Sequence, residues 1–107
     1  MKLWIDDVIS APEGYMWCKS VNEAKKAILD TDEMNEIPRM YDMNFSTTLI
    51  DIDHDAGDYA CDGGDYIKLL DWFEETGRNY PIHIHSMNPV GVANMRAIIK
   101  RNGWKEV

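Results

Sequence analysis

Residues 1–107 predict one α/β domain, a three-layer sandwich whose central sheet is mainly parallel. Three observations lead there. Short apolar runs end in acids or polar loops, segments of helical period lie between those runs, and a length of 107 residues suffices for a single core.

The first run, Leu3 to Ile5, reads as a strand stopped by Asp6 and Asp7. Ser20 and Glu23 then form an S-x-x-E capping box, with Val21, Ala24, Ala27 and Ile28 on one face behind it. That pattern predicts a helix of about two to three turns. Arg39 to Met43 is a weaker strand signal, and Thr47 to Ile52 a stronger, β-rich one that ends in acids. A second helix is expected from near Gly64, carrying Tyr66, Ile67, Leu69, Leu70 and Phe73 inward until Gly77 ends it. Ile82 to Ile84 is a short strand between Pro81 and a polar loop. The third helix takes Asn88 as its cap and Pro89 in its first turn, buries Val92, Met95, Ile98 and Ile99, and stops at Asn102-Gly103. The closing GWKEV segment is expected to add an edge strand. Alternating strands and helices favour right-handed crossovers, with helices on both faces of the sheet.

Composition narrows the function. Acids outnumber lysine plus arginine by 19 to 11, a net charge of −8, so an extended phosphate backbone would be repelled and long DNA or RNA is excluded as a partner. No run is long enough to span a bilayer, and MKLWIDD lacks the layout of a signal peptide. Cys18 and Cys61 are the only cysteines and form no CxxC pair, so both are expected unpaired, in a cytoplasmic protein.

In open α/β sheets ligands bind beyond the carboxyl ends of the strands, and here three of those ends are chemically rich. They read Asp6-Asp7, then Asp51-Ile52-Asp53-His54-Asp55, then His83-Ile84-His85-Ser86-Met87-Asn88, which together hold all three histidines. If these strands are parallel neighbours, their ends meet on one rim. Asp6, Asp7, Asp53 and Asp55 are then candidate oxygen ligands for a divalent ion, magnesium or manganese. An acid inside a strand, such as Asp51, needs a partner or a metal. Asp51 to Asp62 also has acids where a calcium loop carries them, but Ala56 stands where that loop needs glycine. His54 and His85 are candidate general acid and base, because imidazole titrates near neutral pH. On that reading His85→Ala should remove turnover while leaving the fold intact. His83 shares the face of His85 and is read as an orienting or structural residue. Ser86, Asn88 and Gly91 open a helix whose free amides suit a phosphate, although Asn88 is equally a plain cap. The Ala56 to Gly64 loop is read as a flap over the rim, and Trp17 as a possible surface for a base.

The segments Ile5-Asp6-Asp7, Asp51 to Gly57, Gly64-Asp65-Tyr66 and Ile84 to Gly91 together resemble the cyclic-phosphate processing receiver-like domains. The resemblance extends from Leu3 to about Arg101 and implies a minimal receiver-like, flavodoxin-like fold. It also implies a role on cyclic phosphate ends of small nucleotides or RNA. By its carry-over, Asp6, Asp7 and Asp53 fall at the receiver-type acidic pocket, and His54, Asp55, His85, Ser86 and Asn88 are the residues peculiar to the family. Two positions depart from the pattern: Val8-Ile9 stand where an arginine usually follows the acid pair, and Asp51 replaces a small residue.

Two functions of different classes are compatible with these residues. One is a phosphoesterase that opens a cyclic phosphodiester with two imidazoles and an acidic metal pocket. The other is a degenerate receiver that senses phosphate or nucleotide without catalysis. Phosphotransfer is disfavoured, because receivers place a lysine at the end of the last strand with proline after it, and only Lys105 lies nearby.

Overall fold

A computed structural model describes residues 1–36 and 46–107. Four strands, β1 (Lys2–Ile5), β2 (Tyr15–Cys18), β3 (Leu49–Ile52) and β4 (Ile82–Ile84), form one sheet in the order β2-β1-β3-β4, with every pairing parallel. Three α-helices accompany them: α1 (Val21–Glu36), α2 (Ile67–Thr76) and α3 (Pro89–Asn102). A short 3-10 turn, Gly57–Cys61, precedes α2. The expected strand at Arg39 to Met43 lies outside the described residues.

The predicted elements form for the predicted reasons. The Ser20 hydroxyl accepts the Glu23 amide at 3.0 Å, one half of the capping box, while the Glu23 carboxylate accepts the Lys19 amide at 3.4 Å; Gly77 ends α2 with φ 68°, where a side chain would be strained. The Asn88 side chain accepts the Gly91 amide at 3.0 Å and so caps α3. Helix α1 runs to 16 residues, longer than expected, because no glycine or proline interrupts it and Lys26 pairs with Asp30 one turn on. Two strand expectations change. Tyr15–Cys18 was not expected as a strand; it forms by pairing with β1 from Lys2↔Tyr15 to Ile5↔Cys18. The final segment makes only a single bridge, Glu106 to Ile82, rather than an edge strand.

Register divides the sheet into two faces. Leu3, Ile5, Ile50, Ile52 and Ile82 are fully buried, in one cluster with Val21, Ala24 and Ile28 of α1, Leu69, Leu70 and Phe73 of α2, and Met95 and Ile99 of α3. Trp4, Trp17, Asp51 and His83 share the other face, and residues 6–14 join β1 to β2 without a helix. The third layer of the sandwich is thereby reduced, so Trp4 and Trp17 stay half-buried and His83 exposed. Among the described residues no helix is long and apolar enough to cross a membrane.

Candidate active site

Parallel pairing carries the ends of β1, β3 and β4 to one rim. The Asp53 amide donates to the Ile5 carbonyl at 2.9 Å, and the His85 amide to the Ile52 carbonyl at 2.9 Å, so the residues leaving the three strands are laced side by side. Asp6 is 1% exposed, and its Oδ1 accepts the amides of Val8 and Ile9, both at 2.8 Å, which folds the chain back sharply after β1. Two indoles hold that turn: Trp17 Nε1 donates to the Asp6 carbonyl at 2.7 Å, and Trp4 Nε1 to the Ile9 carbonyl at 2.8 Å.

Asp6, Asp7 and Asp53 come together, one carboxylate oxygen of each lying within 4.8 Å of the others. Burial first, and then the carboxylates of Asp6, Asp53 and Asp55, push the Asp7 carboxyl above its ordinary range, against a backbone hydrogen bond that lowers it. The donor set suits a divalent ion. All three groups are hard oxygen donors, the Asp7 carboxylate makes no hydrogen bond to another residue among the described residues, and Asp53 uses only Oδ1, on the His54 amide at 2.7 Å. Asp55, expected with these acids, lies outside the group and turns to His54 instead. The Asp51 to Asp62 stretch is no calcium loop: it is the end of β3 and a 3-10 turn, and Asp62 accepts from Ser20 at 2.6 Å and Asn22 at 3.1 Å. Those bonds, with the Tyr66 amide on the His54 carbonyl at 3.1 Å, anchor the segment expected as a flap.

The two histidines have different surroundings. His54 Nδ1 is 2.8 Å from Asp55 Oδ1, whereas Asn88 Nδ2 is 3.5 Å away, so Nδ1 is assigned as the protonated nitrogen donating to Asp55. The Asp55 carboxyl is held below its ordinary range, chiefly by this bond. Nε2 of His54 makes no hydrogen bond among the described residues, and the side chain is 15% exposed. His85 is tied at both nitrogens, Nδ1 to Asp51 at 2.5 Å and Nε2 to Asp6 at 3.0 Å, and its ring stacks on Trp4 with centroids 3.9 Å apart and planes 5° apart. Both ring nitrogens thus face carboxylate oxygens of neighbouring strand ends. Asp51 thus finds the partner that a buried strand acid requires, and His85 lacks the open nitrogen expected of it. His83 turns away to the Val107 carbonyl at 2.7 Å.

The phosphate-binding expectation for the helix start is revised. The Gly91 amide is taken by Asn88 Oδ1, the Asn88 amide by Ser86 Oγ at 3.1 Å, and the Val92 amide by the Asn88 carbonyl at 2.9 Å. Gly91 instead makes room, because a Cβ there would collide with the His54 ring. Trp17 spends its indole N–H on the Asp6 carbonyl and lies under the Lys19 ammonium at 4.5 Å, which takes up one of its faces. A cleft of about 280 Å³ opens beside these groups, lined by Ile9, Asp53, Asp55, His85, Ser86, Met87 and Asn88.

A parallel sheet of this order with an acidic trio at its carboxyl rim defines a receiver-like α/β domain. The pattern of the cyclic-phosphate processing receiver domain matches residues 1–101, and the chain belongs to that family. Comparison with curated proteins and with solved structures gives no match.

Sequence reasoning missed Trp4 as a site residue. Its partner His85 lies in a distant strand, and only the parallel register places the two rings together.

Proposed function

We propose that this chain is a phosphoesterase opening 2′,3′-cyclic phosphate ends of nucleotides or short RNA, with His54 as its acid–base residue. The observation that carries this reading is the His54–Asp55 pair: one nitrogen held by a carboxylate at 2.8 Å, the other without a hydrogen bond among the described residues, in the residue that follows Asp53 of the acidic trio. The family description supports the substrate class.

In this reading His54 Nε2 accepts a proton from water as the water oxygen bonds to phosphorus. The bond from phosphorus to one ribose oxygen then breaks, and that oxygen takes up the proton that His54 Nε2 had accepted, giving a phosphate monoester and restoring the imidazole. Asp55 keeps the imidazole in the required tautomer, and the Ser86 hydroxyl lines the cleft for a phosphoryl oxygen. His85, itself stacked on Trp4 and bonded to Asp51, is a positioning residue for the Asp6 carboxylate. Asp6, Asp7 and Asp53 would hold magnesium or manganese, whose charge offsets that on the phosphoryl oxygens.

A second reading, a phosphate- or nucleotide-binding module without catalysis, is favoured by the tied nitrogens of His85. Phosphotransfer is weakened further, since the Lys105 carbonyl meets Ile82 at the start of β4 while the acids gather past its far end. Turnover separates the two. With a panel of 2′,3′-cyclic nucleotides and cyclic-ended RNA, assayed with and without magnesium or manganese, the enzyme reading predicts monoester product and a loss of about a hundredfold or more in His54→Ala. Saturable binding without product would favour the module.

A further inference from the structure

Four large apolar side chains stand in water on the two loops from which the cleft takes Ile9 and Met87. Val8 and Ile9 follow β1 and are 75% and 59% exposed, and Met87 and Val90 precede or open α3 at 97% and 71%. Ile9 and Met87 line the same 280 Å³ space as Asp53, His85 and Ser86. Their exposure is built in. The Ile9 amide is held by Asp6 Oδ1 and its carbonyl by Trp4 Nε1, while Met87 sits in the turn closed by the Asn88 amide on Ser86 Oγ. Two ordered backbones from different loops thus hold apolar side chains at the edge of a polar floor.

We infer that Ile9 and Met87 grip the base of a nucleoside whose cyclic phosphate occupies the floor, so the substrate is a nucleoside phosphate end rather than any cyclic phosphodiester; this rests on the reading above. A base has two flat apolar faces and a polar edge. Neither Ile9 nor Met87 can hydrogen-bond to that edge, so the grip favours the presence of a base without selecting its identity. Methionine adapts readily to purine or pyrimidine outlines. The volume, just below the roughly 300–1,000 Å³ usual for small-molecule sites, suits no more than one terminal nucleotide, with the rest of a chain outside. This arrangement is also compatible with the net charge of −8, which disfavours a longer phosphate track.

The test compares adenosine 2′,3′-cyclic phosphate with base-free ribose 2′,3′-cyclic phosphate, on the wild-type chain and on an Ile9→Ser/Met87→Ser double variant, with magnesium present. The readout is Kd, or KM where turnover occurs. Wild type should take the nucleoside compound about tenfold more tightly, the order expected from covering two apolar side chains. The double variant should lose most of that advantage while keeping its affinity for the base-free compound, and its melting curve should match wild type because both side chains are exposed. Equal wild-type affinities, or an equal weakening of both compounds in the variant, would overturn the base contact and leave the rim to another apolar partner, such as a protein. Binding of neither compound to wild type would overturn the cyclic-phosphate reading, and the base contact with it.

Discussion

Gly91 and His54 are fitted to one another: the third residue of α3 has no Cβ, and the His54 ring occupies the space a Cβ would fill. A glycine so early in a helix costs about 0.5–1 kcal/mol against alanine, and here it lets the imidazole lie beside Asn88 and Asp55.

Gly91→Ala should therefore separate stability from activity. Better helix propensity offsets part of the collision, so the melting temperature should change little. The displaced His54 ring should lower cyclic-nucleotide turnover at least about tenfold, since a misplaced acid–base group loses most of its effect. A histidine NMR shift change confined to His54 would identify the cause, and full activity would show that the ring needs no such space.

His85→Ala should unfold the protein more readily. The substitution leaves Asp6 and Asp51, whose side chains are 1% and 9% exposed, without their shared hydrogen-bond partner, and it removes the stack on Trp4. Leaving a buried polar group without its partner costs about 1–3 kcal/mol and more for a charged one, and two are left here, which in a domain this size lowers Tm by roughly 10 °C or more. The sequence alone leads to the opposite expectation, a stable but inactive variant. Thermal denaturation decides between them.

Asp7→Asn should stabilise the metal-free protein. Burial and three neighbouring carboxylates raise the Asp7 carboxyl in the folded state, so the fold holds that proton more tightly than the unfolded chain does. Asp7 therefore contributes stability below its unfolded pKa, and the contribution is lost as pH rises through the raised folded value. In chelator, the Tm advantage of Asp7→Asn should be absent in acid and appear as pH climbs through that value. With magnesium added, wild type should gain stability and the variant should gain less. The same Tm difference at every pH would argue against the repulsion.

The two cysteines should differ in reactivity. Cys18 is 1% exposed and burial pushes its thiol up to about 12, whereas Cys61 is exposed. A thiol reagent should modify Cys61 alone in the folded chain and both residues after denaturation. Rapid labelling of Cys18 under native conditions would mean that β2 opens easily.

Much of this was legible in the residues. Asp6-Asp7, Asp53, Asn88 and Gly77 sit at strand or helix ends where short-range chemistry decides, and the acids meet because three parallel strands end together. Tyr15–Cys18 was not legible. It follows a proline-glycine loop and contains two aromatics of ambiguous period, so only its pairing with β1 makes it a strand. The need of Asp51 for a partner could be read, but not that the partner is His85, 34 residues on, nor that Trp4 would lie flat against that ring. The Gly91 amide appeared available to an anion until the Asn88 cap claimed it.

The most direct measurement follows the ³¹P NMR signal of adenosine 2′,3′-cyclic phosphate mixed with the folded wild-type chain and magnesium, beside His54→Ala. A phosphate monoester resonance growing with wild type, and about a hundredfold or more slowly with the variant, is the predicted result. A cyclic resonance unchanged under folded wild-type protein, or equal conversion by His54→Ala, would contradict the assignment of His54 as the acid–base residue of a cyclic phosphodiesterase.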